Sequence, residues 1–295
     1  MSIRTSETQA RLLELFIDFS RSRFGTDVVR PVDRPGVNYS FFVGEGPEYV
    51  VKYYDGSGPK LENEAFALDC FRSSGVPLPN VVLLDSSRSF VDRDVLVLEY
   101  VAHNPAEELS AHDLGVTLRR LHCVELGGAG YLLAGRGQDG NWSQFLNRFI
   151  RYYAREFLPL LEQEVNETLN RVDSLRDFHT LLHFDFGPGH ALVKNGLLAA
   201  VIDPDVCVGD PLWDVASTHV SDTALRDEFF RGYRPQGFCS EERVRLALYE
   251  RAFWIYKLGS VTRHLKDSEG LAEYSKKRTR WEQRRASYVD SLSRR

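Results

Sequence analysis

An α+β protein of two lobes, with a small antiparallel sheet in the N-terminal lobe and a mainly helical C-terminal lobe, is predicted by three observations. Residues 27–100 alternate β-branched and aromatic runs with turn material around a single helical stretch. Beyond Ala102 the apolar residues fall mostly at helical spacing. The exception is a compact strand-rich island between Leu181 and Asp205. Strands grouped ahead of helices, rather than alternating with them, favour α+β over α/β. A chain of 295 residues is long enough for two such bodies, and the change of texture sets their expected extents at 1–101 and 102–295.

The elements follow in order. Leu12, Leu13, Leu15, Phe16, Ile17 and Phe19 recur among charges over residues 5–24, which predicts a leading helix that stops before Gly25. Asp27 to Asp55 is broken at Arg34-Pro35-Gly36 and Gly44-Glu45-Gly46-Pro47, giving three antiparallel strands. Leu61, Phe66, Leu68 and Phe71 restore helical spacing over 58–74, and Gly75, Pro77 and Pro79 end it. Two strands follow, near Val81–Asp85 and Asp94–Tyr100. No internal repeat of fixed period interrupts this order.

Composition narrows the class of protein. At 43% hydrophobic and 27% charged residues, the chain is neither low-complexity nor collagen-like. Its longest apolar runs, Val95–Ala102 and Leu197–Ile202, fall far short of the roughly 18 residues a membrane helix needs. Charges at Arg4, Glu7, Arg11, Glu14 and Asp18 leave no hydrophobic core for a secretory signal, so the expected location is the cytoplasm. Cys70, Cys123, Cys207 and Cys239 lie dozens of residues apart and read as reduced packing residues. Residues 261–295 carry ten Lys/Arg against five Asp/Glu, whereas residues 1–260 carry 27 against 37. The basic tail lacks aromatic interleaving or zinc-finger spacing, so a solvated amphipathic helix is expected there and no nucleic acid, membrane or obligate protein partner.

The chemistry concentrates in His183-Phe184-Asp185-Phe186-Gly187-Pro188-Gly189-His190, then Val201-Ile202-Asp203-Pro204-Asp205, then Gly209-Asp210-Pro211-Leu212-Trp213-Asp214. Asp185 sits on a Gly/Pro-rich turn, and Asp203 ends an apolar run that reads as a buried strand. Carboxylates so placed suit metal-assisted phosphoryl transfer, in which one orients the attacking hydroxyl and another holds a divalent ion on the phosphates. Turn capping is the competing role for each Asp taken singly.

Together these segments resemble the HxDxxxxN, (I/V)D and GDPxxD signature of the aminoglycoside phosphotransferase and choline kinase superfamily, small-molecule kinases of protein-kinase-like fold, with the antibiotic phosphotransferase branch favoured. Upstream, Tyr49-Val50-Val51-Lys52-Tyr53 is similar to that family's lysine strand, Val95–Tyr100 to the strand entering the hinge, and Leu118–His122 to its Leu-x-x-Leu-His helix. The resemblance implies Asp185 as catalytic base and Asp203 as principal Mg²⁺ ligand. It implies Lys52 on the α- and β-phosphates of ATP or GTP, positioned by Glu64 in preference to Glu62. Backbone groups of Glu99 and Val101 would bind adenine, and Asp210 and Asp214 would cap the loop and helix beyond the metal. His190 stands where the family usually has a metal-binding asparagine, and it is expected to ligate the ion. The phosphate loop 34–40 holds one glycine, so backbone amides and Ser40 are expected to meet phosphate.

The implied activity is transfer of the γ-phosphate of ATP or GTP to a hydroxyl of a small molecule, an antibiotic such as an aminoglycoside or macrolide. The alternatives are a metabolic sugar or amino alcohol kinase and a non-catalytic nucleotide-binding pseudokinase. Trp142, Tyr152, Tyr153, Glu156, Trp254, Tyr256 and His264 are the candidate acceptor residues, and the basic tail argues mildly against a polycation.

Overall fold

The computed structural model describes residues 6–32, 39–54, 58–88, 91, 94–156, 161–221 and 226–267, together with 279, 282, 283 and 286. They form two compact units, Met1–Leu109 with Pro188–Asp205, and Ser110–Gly187 with Val206–Arg295. Among the described residues no helix is long and apolar enough to cross a membrane.

The first unit is built on a five-stranded sheet in the order β1-β2-β3-β5-β4, every neighbouring pair antiparallel. The strands are β1 (Val29–Pro31), β2 (Tyr39–Val43), β3 (Tyr49–Tyr53), β4 (Val81–Asp85) and β5 (Val95–Glu99). Successive side chains of a strand point to opposite faces, and β5 uses both. Val95 and Val97 join Leu12, Phe16 and Phe19 of helix α1 (Ser6–Phe24) in one apolar cluster. Leu96 and Leu98 join Leu61, Ala65 and Leu68 of α2 (Lys60–Phe71) in another. Burying each such side chain stabilises the unit by about 1.5–3 kcal/mol, so the apolar run of β5 is what holds a helix on either side of the sheet.

A hairpin distant in sequence completes this unit. Strands β9 (Ala191–Lys194) and β10 (Leu197–Val201) pair antiparallel around the two-residue turn Asn195-Gly196. The Asn104 amide donates to the Val193 carbonyl at 2.8 Å, the Gly196 amide to Glu107 Oε2 at 2.8 Å and the Val201 amide to the Pro77 carbonyl at 2.9 Å. The sequence reading draws one boundary near residue 101. These non-local bonds instead return residues 188–205 to the first unit, and the first segment extends to Leu109.

The second unit is mainly helical, with α3 (Ala111–Leu121), α4 (Trp142–Ala154), α5 (Glu162–Val172), α6 (Leu212–Ser221), α7 (Arg226–Tyr233) and α8 (Ser240–Asp267). Ser110 and Asn141 cap α3 and α4, accepting from the amides of Asp113 and Gln144. Trp142, Phe145, Trp213 and Tyr249 are all within 1% of complete burial and pack ring on ring between α4, α6 and α8.

A four-stranded sheet in this unit escapes the sequence reading, which expects helices after Ala102 outside the island. Strands β6 (Ala129–Leu133), β7 (Arg136–Asp139), β8 (Thr180–Leu182) and β11 (Cys207–Gly209) pair in the order β7-β6-β11-β8. Its first hairpin is glycine-rich, with Gly130 in β6 and Gly137 in β7. The glycines are there because the backbones nearly touch: a Cβ on Gly137 would lie 2.3 Å from the Ala129 nitrogen.

Helices α3 and α7 use the same device. A Cβ on Gly232 would lie 2.0 Å from the His112 carbonyl oxygen, and one on Gly115 2.2 Å from that of Phe229. Gly232→Ala is therefore expected to push the helices apart and cost about 1–3 kcal/mol, as overpacking does. Urea unfolding at unchanged slope would register it as a lower midpoint. An unshifted midpoint would mean that the contact is not tight.

Candidate active site

Lys52 is the centre of the first unit's polar chemistry. It lies in β3 between Val51 and Tyr53 and is 4% exposed, and Ser40 is its cross-strand partner in β2. Its ammonium donates to Glu64 Oε1 and to Asp203 Oδ1. Burial by itself lowers the pKa of Lys52, but Glu64 and then Asp203 outweigh it and hold the group well above the ordinary lysine range. Burial also pushes the Glu64 carboxyl up, with Lys52 opposing it and the charge of Asp203 adding to it. Of the two candidate glutamates, Glu64 is 2% exposed and meets Lys52, whereas Glu62 accepts from the Ser86 hydroxyl at 2.9 Å.

The β9–β10 hairpin places His190 and Asp203 at one end. His190 closes the short turn before β9, and its carbonyl accepts from the Ile202 amide at 3.0 Å, immediately before Asp203. Asp203 has φ 58° and a side chain 45% exposed. A left-handed non-glycine residue is uncommon, and such strain is concentrated at functional sites. Asp205, two residues on, accepts from Lys60 of α2 at 3.0 Å, so this acidic stretch is tied down by two lysines. The Lys60–Asp205 bridge is absent from the sequence reading, because Asp205 looks like turn material beside Pro204.

The family resemblance implies magnesium at this end. Among the described residues no group of three or more His, Cys, Asp or Glu side chains forms a ready-made metal site. Magnesium is commonly held by one or two protein carboxylates, with substrate phosphates and water completing its shell. The half-exposed carboxylate of Asp203 fits that habit, and the imidazole of His190 would be a softer second donor if it ligates the ion as the resemblance implies.

Glu99 is the last residue of β5, and Val101 lies two residues beyond it. The Glu99 amide donates to the Asn80 carbonyl at 2.9 Å, its side chain accepts from Asn80 Nδ2 at 2.6 Å, and the Val101 carbonyl lies 2.9 Å from His103 Nδ1. The phosphate loop proposed at 34–40 lies outside the described residues except for Tyr39 and Ser40.

In the second unit, Asp185 is exposed on the turn after β8. That turn is gripped by α6. Asp214 is fully buried, and its Oδ2 and Oδ1 accept from the amides of His183 and Phe184, each at 2.9 Å. The Thr218 hydroxyl donates to the Phe186 carbonyl at 3.0 Å. Phe184 has φ 67°, and its ring stacks on Trp213 at 5.4 Å. Asp185 is thus carried on a strained turn bonded on both flanks. Asp210 is equally buried: its Oδ1 accepts from the Leu212 amide at 3.0 Å, and its Oδ2 from Tyr249 at 2.7 Å and Arg245 at 2.9 Å.

The candidate acceptor residues divide. Trp142 is fully buried, with its indole donating to Tyr249 Oη at 3.0 Å, and Trp254 is 8% exposed, so both belong to the core. Phe149 links the ring of Phe184, at 5.5 Å, to Tyr153 and Tyr256, each at 5.0 Å. Near the end of that run, Glu156 accepts from Arg263 at 3.2 Å and Lys266 at 2.9 Å, and Lys257 lies 5.2 Å from the centre of the Tyr256 ring.

Among curated proteins none matches this chain. Among solved structures, a thermostable mutant of the aminoglycoside phosphotransferase APH(4)-Ia, in ternary complex with AMP-PNP and hygromycin B, is 18% identical over 94% of this chain and 98% of its own, with a TM-score of 0.69. A mutant of the aminoglycoside 2'-phosphotransferase-IIIa in complex with GDP is 15% identical over 95% of each chain, with a TM-score of 0.63. A fructosamine-3-kinase candidate from Thermobifida fusca is 19% identical over 91% and 94%, with a TM-score of 0.59. At such identities the likeness establishes the fold, a kinase-like one. The family model described as "Phosphotransferase enzyme family" adds membership, because it matches residues 28–249, from the start of the first sheet into α8 and across every motif above; the chain belongs to the phosphotransferase enzyme family.

Proposed function

We propose that the protein transfers the γ-phosphoryl group of ATP to a hydroxyl of a small molecule, with Asp185 as general base. The observation that carries the reading is the buried, charged Lys52 held by Glu64 and Asp203, a preorganised cation of the kind that phosphoryl transfer requires. Lys52 would neutralise the α- and β-phosphates, Glu64 orienting it and Ser40 standing across the ladder. Adenine would use the Glu99 carbonyl and Val101 amide, since the Glu99 amide and Val101 carbonyl already have partners. Magnesium, when bound, supplies positive charge among the phosphate oxygens, and Asp203 with His190 would hold it. Asp185 takes the acceptor's proton as its oxygen bonds to the γ-phosphorus, while the bond from that phosphorus to the bridging oxygen breaks and ADP leaves.

The acceptor we infer has an apolar or aromatic face and is not a polycation. The ring run from Phe184 through Phe149 to Tyr153 and Tyr256 supports the first part, and the surplus of Arg263, Lys266 and Lys257 over Glu156 supports the second. A screen of ATP consumption over hydroxyl-bearing compounds tests both. Turnover should favour macrolide-like, nucleoside or peptide acceptors, and the highest kcat/KM on a polycationic aminoglycoside would refute the acceptor class. ATP binding without turnover on any acceptor would favour the non-catalytic reading instead.

Asp203→Ala should remove the magnesium-dependent part of ATP affinity as well as turnover. Calorimetric titration with ATP, with and without magnesium, decides it. An undiminished contribution from the metal would exclude Asp203 as its ligand.

A further inference from the structure

Lys60 is out of place for its own helix. It opens α2, whose N-terminus carries a partial positive charge that disfavours a cation, and Pro59 before it supplies no side-chain cap. Its side chain is nonetheless only 24% exposed, with the ammonium 3.0 Å from Asp205 Oδ1 and 5.7 Å from the centre of the Tyr54 ring. Ordering a lysine side chain also costs rotamer freedom. Burial by itself lowers the pKa of Lys60, but Asp205 outweighs it and holds the group charged. None of these costs is offset by a stronger helix, so the reason for a lysine here lies at Asp205.

Asp205 ends the segment Asp203-Pro204-Asp205, which needs restraint. Asp203 has φ 58°, a left-handed value uncommon for a non-glycine residue, and a following proline favours extended backbone at that position. The bend is held at both ends: Lys52 of β3 donates to Asp203, and Lys60 of α2 donates to Asp205. Glu64, four residues after Lys60 on α2, accepts from Lys52 and is attracted by Lys60. Lys52, Glu64, Lys60, Asp205 and Asp203 thus close a ring of alternating charge that joins sheet, helix and returning segment. The two lysines differ in one respect. Lys52 is asked to meet phosphate in the reaction proposed above, which loosens its hold on Asp203, whereas Lys60 has no part in that reaction.

We propose that Lys60 is a positioning residue for magnesium binding: by holding Asp205 it keeps the Asp203 carboxylate in place when Lys52 turns to phosphate. The link to magnesium rests on the function proposed above; the link to the bend does not.

Calorimetry and amide hydrogen exchange on the full chain test this. Lys60→Met keeps the apolar stem and removes the charge. It should reduce the magnesium-dependent gain in ATP affinity about twofold to fivefold, the range that a partly exposed ion pair allows, and leave affinity without magnesium unchanged. In the nucleotide-free chain, the Ile202 amide, which donates to the His190 carbonyl at 3.0 Å, should exchange faster by a similar factor. Lys60→Arg should preserve both readouts. Asp205→Asn should match Lys60→Met, with the double variant no worse than either single. An undiminished gain from magnesium, or unchanged exchange at Ile202, in both single variants would overturn the proposal. So would an arginine variant as impaired as the methionine one, losses that add in the double variant, or ATP binding weakened equally with and without magnesium. If the wild-type protein gains no ATP affinity from magnesium, the functional reading fails, and the exchange comparison decides whether Lys60 holds the bend.

Discussion

Asp185→Asn is expected to give a folded protein that still binds ATP but turns over about 10²–10⁴ times more slowly, the usual worth of general-base assistance. The carboxamide matches the carboxylate in shape and cannot accept the acceptor's proton. Asp185 is exposed, and the bonds from the turn to Asp214 and Thr218 remain in the variant, so the fold should survive. Nucleotide affinity should survive, because the buried lysine and its carboxylates belong to the other unit. Steady-state kinetics on the folded variant measure it, and retention of more than about a tenth of kcat would rule out the base.

Lys52→Ala should be the most destabilising of the changes considered, by about 3–5 kcal/mol, because it strands a buried carboxylate. Glu64 would then lie 2% exposed without its cation. Its carboxyl, already pushed up by burial, would bind a proton in the folded state more readily than in the unfolded chain. A carboxyl raised in this way supports folding fully below its unfolded value, about 4.3. That support is lost as pH rises through the folded value, so the penalty of Lys52→Ala should shrink in acid and grow towards neutrality. Replacing both partners, as Lys52→Met with Glu64→Leu, should recover most of the stability while leaving no phosphate-binding cation. Urea midpoints for the two singles and the double close the cycle. Additive losses would show that the pair is not coupled.

The choice of Glu64 over Glu62 is legible from helical phase alone. Leu61, Glu64, Ala65 and Leu68 stand at the spacing of one face, and Leu61, Ala65 and Leu68 all reach the core. Glu62 points elsewhere. Strands β2 to β5 of the first unit are equally legible, since their apolar and aromatic runs are separated by turn residues, while the short β1, Val29-Arg30-Pro31, shows only through the turn residues that follow it. The β6–β7 hairpin is not, because glycines demanded by close backbone approach erase the side-chain pattern from which strands are read. The Lys60–Asp205 contact is hidden for a different reason. It joins residues 145 apart, and Lys60 lies in no motif. Neither is the return of residues 188–205 to the first unit visible, because it depends on backbone bonds to Asn104 and Pro77 and on the Glu107 side chain.

That discontinuity governs the order in which the protein can be made. During synthesis from the N-terminus, the first 109 residues can form the five-stranded sheet and bury Lys52 against Glu64, yet the ammonium's second anion is nearly a hundred residues away from emerging. The buried ammonium must therefore wait for its second anion until Asp203 has been translated, and the first unit accepts the hairpin at a late stage by closing a long loop. Proteolysis should reflect the same connectivity: the chain passes between the units after residues 109, 187 and 205, so no single cut is expected to release either one.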